Sequence, residues 1–254
     1  DRAHPARTEQ WQDYSERVKS VKSPLTTRDL PETIQRLMSL VRELVPHKSK
    51  SRTHVLAMIT GIPNVGKSSL INILAGRKVA KTGNEPAITK GLQRIRIQDE
   101  LILLDTPGIL WPKIHNENSG YRLAASGAIR DTATEVEDLA FYLTAYLLEY
   151  HPSLLVDRYN LDAIPKSDVE FLEELGARRG CLRAGGHVDL EKVSSILVNE
   201  FRSGTLGRIS LETPDMILAE EKIVKARQDI EAAKQEQKKR NKQSSRGSGK
   251  KNQS

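Results

Sequence analysis

The 254-residue chain carries 40 Lys and Arg, 33 Asp and Glu and one cysteine, enough for one or two domains with proper cores. Cys181 alone excludes a disulfide framework and any multi-cysteine metal site and fits a reducing cytosol, and no stretch approaches the ~18–20 apolar residues of a membrane span. The net charge of +7 sits in the tail: from Glu221 onward eleven basic residues face four acidic ones and the remainder balances, so attraction to nucleic acid is sought there first.

The chain opens on Asp1 rather than Met, as a fragment or processed product does, and residues 1–27 are polar without a readable period. Pro31 suits the first turn of a helix. Ile34, Leu37, Met38, Val41, Leu44 and Val45 then recur on one helical face until Pro46. Val55–Thr60 is β-rich, Ser69–Ala75 helical, and Gly76 ends that helix. Arg77–Gly91, with Thr82-Gly83-Asn84 and Pro86, has no period and reads as a mobile loop. Leu92–Ile97 alternates as a half-buried strand, Gln98-Asp99-Glu100 turns, and Leu101–Leu104 reads as a strand buried on both faces.

Beyond Trp111 strand signals stop. Helices are predicted near 121–130, 134–150, 167–176 and 189–202, separated by Pro152, Pro165, Gly176 and Gly185-Gly186. A charged helix after Pro214 is expected to reach the 230s, and Asn241–Ser254 has the composition of a disordered tail. The expected division is residues 1–118 for a nucleotide-binding α/β domain, 119–213 for an all-helical domain and 214–254 for the charged helix and basic tail.

Between the strand at 55–60 and the helix at 69–75 stands Gly61-Ile62-Pro63-Asn64-Val65-Gly66-Lys67-Ser68, which satisfies G-x-x-x-x-G-K-[ST]. Strand, glycine-bounded loop and helix give the pattern its phosphate-binding context. Amides from Asn64, Val65, Gly66, Lys67, Ser68 and Ser69 face anionic oxygens at a helix N-terminus. Lys67 is expected to bridge the β- and γ-phosphates and the Ser68 hydroxyl to ligate Mg²⁺. Asp105-Thr106-Pro107-Gly108 follows the second apolar strand. Asp105 can hold a water ligand of Mg²⁺, and the Gly108 amide can approach the γ-phosphate because no side chain intervenes. Thr89, with Thr82 second, is the threonine expected to close over Mg²⁺, and Lys67 and Thr89 are the candidate catalytic groups.

Ile109 occupies the position where many GTPases carry the glutamine that orients the attacking water. Slow unaided hydrolysis, with help from a partner or ion, is therefore expected. Asn64 either helps hold a monovalent cation, K⁺, beside the phosphates or only stabilises the loop. No [NT]-K-x-D follows Asp105, and Pro165-Lys166-Ser167-Asp168 reads as a helix start. Cys181 reads as a buried apolar residue, and His47, His54, His115, His151 and His187 lack metal spacing.

Gly61–Ser69, Thr82-Gly83 and Leu104–Lys113, together with Arg178–Leu182, Gly185-Gly186 and Gly207–Ser210, resemble the circularly permuted GTPases of the ribosome biogenesis GTPase A family over roughly residues 1 to 215. The resemblance implies a P-loop α/β GTPase domain, permuted and incomplete at the N-terminus, ahead of a helical C-terminal domain. It makes Asp1 the last residue of a guanine-recognition motif, with Leu25-Thr26-Thr27 a weak match for the loop completing the base pocket. It implies a cytoplasmic, monomeric enzyme that hydrolyses GTP to GDP to assist late assembly of the large ribosomal subunit, through rRNA and ribosomal proteins. Trp111 docks on RNA or protein or packs on the helical domain, and Arg178, Arg179 and Arg183 contact RNA phosphates or form a solvated cluster. A P-loop ATPase acting on nucleic acid and an RNA-binding scaffold with little turnover are the competing readings.

Overall fold

The computed structural model describes residues 3–19, 21–27, 31–46, 54–80, 91–97, 101–129 and 134–248. Asp1, Thr82 and Thr89 lie outside them. The chain divides into two compact units, Asp1–Leu211 and Glu212–Ser254.

In the first unit, helices α1 (Pro5–Lys19) and α2 (Pro31–Leu44) precede strand β1 (Val55–Ile59) and helix α3 (Lys67–Ala75). Strands β2 (Gln93–Ile97) and β3 (Leu101–Asp105) complete a three-stranded sheet of order β1-β3-β2, β3 running parallel to β1 and antiparallel to β2. Helix α1 is the element the sequence conceals. It is polar on nearly every side, so no apolar stripe marks it. Its start is tied down where the His4 amide donates to Ser210 Oγ at 3.1 Å.

One sheet face is covered. Ile95, Ile97, Leu101 and Leu103 form a core with Ile71 of α3, and Met38 and Val41 of α2 pack against it. The predicted stripe of α2 is thus the face that seals the sheet, although Leu44 at its end stays exposed. The expectation that β3 is buried on both faces is corrected. Leu101, Leu103 and Asp105 are buried but Ile102 and Leu104 only half so. By register these two lie between exposed Leu56 and Met58 of β1 and exposed Arg94 and Arg96 of β2. An uninterrupted apolar run cannot by itself report which of its faces is covered.

Helices α4 (Glu117–Ala125), α5 (Val136–Tyr150), α6 (Pro152–Tyr159), α7 (Asp168–Arg178) and α8 (Leu190–Ser203) follow. Helix α6 replaces what the sequence marks as a separator. Pro152 is its first residue, a position where proline lacks only an amide that no turn would use. Ser167 caps α7 by accepting from the Glu170 amide at 3.1 Å, which makes Pro165–Asp168 a helix start. Leu139, Leu143 and Leu147 of α5, Leu155, Phe171, Leu175, Val193 and Leu197 are all buried, and α5 packs against α6, α7 and α8. Phe171 is fully enclosed, and Phe171→Ala is expected to cost about 3–5 kcal/mol in a urea titration by transfer and cavity terms together.

Four arginines of this bundle are paired within it. Glu200 of α8 takes Arg158 Nη2 at 2.7 Å and Arg179 Nη2 at 2.8 Å, Arg178 pairs with Asp162 and Glu174, and Arg183 with Asp189. The hydrogen bonds from Arg158, aided by Arg179, hold the Glu200 carboxyl below the ordinary glutamate range. A lowered folded pKa gives stability that is present above the unfolded value and lost as pH falls through the folded one. Glu200→Gln should therefore flatten the acid limb of a Tm-against-pH curve below about pH 5, where wild type loses this contribution.

The second unit is built on α9 (Pro214–Ser248). The Thr213 hydroxyl accepts from the Met216 amide at 3.2 Å at its start. The helix outlasts the 230s, and residues 241–248 have helical backbone where composition reads as disordered. Between Pro214 and Gly247 the sequence holds no glycine or proline to break it.

Candidate functional site

Parallel pairing of β1 with β3 brings the two sequence motifs together. Ile59, last in β1, stands opposite Asp105, last in β3. Gly61–Ser68 and Asp105–Gly108 therefore leave the sheet side by side at the carboxyl ends of the strands, where α/β sheets hold their ligands. Three contacts fasten them. Thr106 Oγ1 donates to Ile59 O at 2.8 Å, and the Ile109 amide to Gly61 O at 3.2 Å. Gly108 lies so close to Pro63 that a Cβ there would be 2.6 Å from both the Pro63 nitrogen and Cα.

The loop turns on two residues in the left-handed region, Asn64 at φ 61° and Gly66 at φ 88°. Gly66 is the N-cap of α3, and its carbonyl accepts from the Leu70 amide at 2.9 Å. No capping side chain occupies the amides of the first turn, so the helix end presents them and its positive dipole to an anion. Val65 is exposed on the loop, and Ser68 and Ser69 are half-buried in the first turn of α3.

Lys67 folds back over the loop, its Nζ donating to Ile62 O at 2.7 Å and Gly61 O at 3.2 Å. Burial lowers its pKa and the nearby Asp105 carboxylate opposes that. Asp105 is fully buried. A hydroxyl and a carboxylate are hard oxygen donors that suit Mg²⁺ shared with phosphate oxygens, an ion that takes few protein ligands, while the amide N–H groups suit the phosphates themselves. Among the described residues no group of three or more His, Cys, Asp and Glu could hold a metal alone.

Asn64 reaches away from the loop, its Nδ2 donating to Gly127 O just beyond α4 at 3.0 Å. Ile109 and Trp111 are exposed, the latter at 74%, so Trp111 does not pack on the bundle. Thr27, in the weakly matched base-pocket segment, instead exchanges hydrogen bonds with Thr33 at the start of α2. Cys181 is buried and free. Sequence reasoning passed over Pro63 and Thr106. Only the pairing of β1 with β3 makes them the seam between the motifs.

The family described as 50S ribosome-binding GTPase matches residues 56–157. The chain is 40% identical over 222 residues to ribosome biogenesis GTPase A of Priestia megaterium, covering 84% of this chain and 77% of that one. It is 32% identical over 220 residues to mitochondrial ribosome-associated GTPase 1 of Ictalurus punctatus, covering 76% and 68%. Among solved structures, the GNP-bound YlqF of Thermotoga maritima aligns at TM-score 0.53 and 25% identity over 84% of this chain and 78% of that one. The GDP-bound form aligns at 0.55, with 84% and 79% covered and 23% identity, a likeness of fold.

Proposed function

The chain belongs to the ribosome biogenesis GTPase A family, and from that premise we propose that it binds and hydrolyses GTP to assist assembly of the large ribosomal subunit. The observation that carries this reading is the junction of Lys67, the first turn of α3 and Asp105–Gly108 at the ends of two paired strands. Lys67 exchanges the Gly61 and Ile62 carbonyls for β- and γ-phosphate oxygens. The loop amides bind the phosphates, and Gly108, seated against Pro63, offers its amide toward the γ-phosphate. Ser68 and Asp105, with Thr89 from the stretch of sequence between the motifs, are the residues that would hold Mg²⁺, which supplies charge against the phosphate oxygens when bound.

Water attack on the γ-phosphate needs an orienting group, and Ile109 cannot hydrogen-bond water. Its exposure leaves that place to a group from the ribosomal particle or to K⁺ beside Asn64. Unaided turnover is accordingly slow. Asp1 ends a guanine-recognition motif in this reading, and the order of the motifs is that of a circularly permuted GTPase domain at residues 1–118. Residues 119–213 form the helical ribosome-binding domain and 214–254 a basic extension toward rRNA phosphates. The protein acts as a cytoplasmic monomer.

Competition of GDP, GTP and ATP for the protein, followed by phosphate release with and without purified large subunits in K⁺ and in Na⁺, tests this. Guanine-selective binding with turnover stimulated by subunits and by K⁺ is expected. Adenine preference would indicate an ATPase, and guanine binding without turnover under any condition would indicate the scaffold that Ile109 also permits.

A further inference from the structure

Asn64 of the phosphate loop reaches into the helical part of the chain. Its acceptor, Gly127 O, lies 63 positions away in sequence in the turn that ends α4. That turn is buried, with Ala124, Ala125 and Ala128 at 3% exposure or less. It closes on itself where the Gly127 amide donates to Ala124 O and the Ala128 amide to Leu123 O, both at 2.9 Å.

The same turn is gripped from its other side. Arg202, near the end of α8, donates Nη2 to Ala124 O at 2.9 Å and Nε to Ala125 O at 3.3 Å. A guanidinium across the last carbonyls of a helix satisfies orphan acceptors and sits at the negative end of the helix dipole. Gly127 itself is at φ 75°, and a Cβ on it would stand 3.1 Å from Asn64 Nδ2 and 3.9 Å from Arg202 Nε. The position thus requires glycine for its backbone and for the space between the two side chains.

We propose that Arg202 is a positioning residue for the phosphate loop: it fixes the Ala124–Gly127 turn, the turn fixes Asn64, and Asn64 holds the loop in the shape that receives the nucleotide. Asn64 is a non-glycine residue in the left-handed region, a conformation its side-chain bond helps to hold. Because α8 is packed in the bundle against α5 and α7, a displacement of the bundle is felt at the loop through two hydrogen-bonded steps. The inference rests on the nucleotide role proposed above for the loop.

Amide hydrogen exchange on the full chain tests it without nucleotide. Arg202→Gln, Gly127→Ala and Asn64→Ala should each speed exchange of the amides of Ile62, Asn64, Val65 and Gly66 by about threefold or more, the scale of one lost hydrogen bond. Arg202→Gln combined with Asn64→Ala should add nothing further, since both cut one path. Arg158→Gln, which breaks another contact of α8 through Glu200, should leave these amides unchanged. GDP dissociation should quicken by the same factor in Arg202→Gln and Asn64→Ala. Faster exchange confined to α4 and α8, or additive effects in the double variant, would overturn the proposal. If Arg202→Gln fails to fold, Gly127→Ala decides between the outcomes alone. Wild-type protein that fails to bind GDP while the exchange pattern holds would count against the nucleotide role and not against this coupling.

Discussion

Lys67→Ala is expected to lower GTP turnover by about 10²–10³-fold, the loss measured when one preorganised donor to developing charge is removed. The lysine is held ready at the site. Its Nζ already donates to two loop carbonyls, 2.7 and 3.2 Å away, in a partly buried setting beside Asp105. The ammonium has already exchanged part of its water for carbonyl oxygens, and phosphate oxygens can take the place of those carbonyls. Alanine leaves α3 intact, since it is a good residue for a first turn. The check is single-turnover phosphate release at saturating GTP alongside a melt of the unliganded protein. Turnover within about threefold of wild type, with folding unchanged, would remove Lys67 from the mechanism.

Gly108→Ala carries the second large effect, and for a different reason. The added methyl would meet the Pro63 nitrogen and Cα at 2.6 Å. Both atoms are backbone, so no side chain can swing aside. The Asp105–Gly108 segment must then lift from the loop, loosening the Ile109 amide from Gly61 O. Misplacing a positioning group by about 1 Å can cost 10²-fold in rate, and a loss of that order is expected in hydrolysis. The loop amides and Lys67 proposed to hold the nucleotide keep their own residues and the first turn of α3, so GDP affinity should change by no more than about threefold. A Gly108→Ala protein that hydrolyses GTP normally would show that the approach of Gly108 to Pro63 is not required for the chemistry.

The two effects differ in how visible their causes are in the sequence. Lys67 is marked by its spacing from Gly61 and Gly66, because an anion-binding turn needs glycine and a cation at fixed offsets in one continuous segment. Gly108 is marked only as a flexible position in D-x-x-G. Its reason for being glycine is Pro63, 45 positions earlier, and no local pattern carries that. Trp111 shows the same limit, since burial against the bundle and exposure at 74% are equally compatible with its neighbours in sequence. Arg178, Arg179 and Arg183 read as free cations until folding supplies Glu174, Glu200 and Asp189 as partners.

By itself the sequence determined the elements whose cause is local: the stripe of α2, the β1–loop–α3 unit, the strand before Asp105, the helix start at Pro165–Asp168 and the helical segments that become α5, α7 and α8. Each depends on residues a few positions apart, within reach of helical or strand periodicity and of cap geometry. Helices α1 and α6 fall outside that reach, one because it has no apolar stripe and the other because a proline both ends and begins helices. Only the tertiary structure decided that β3 lies beside β1, so that Lys67 and Asp105 share one site, that Asn64 turns toward Gly127, and that Arg202 bonds the Ala124 carbonyl of the same turn. Those arrangements join residues 38 to 78 positions apart, where chain entropy is offset by the whole packed core and not by any preference of the residues concerned.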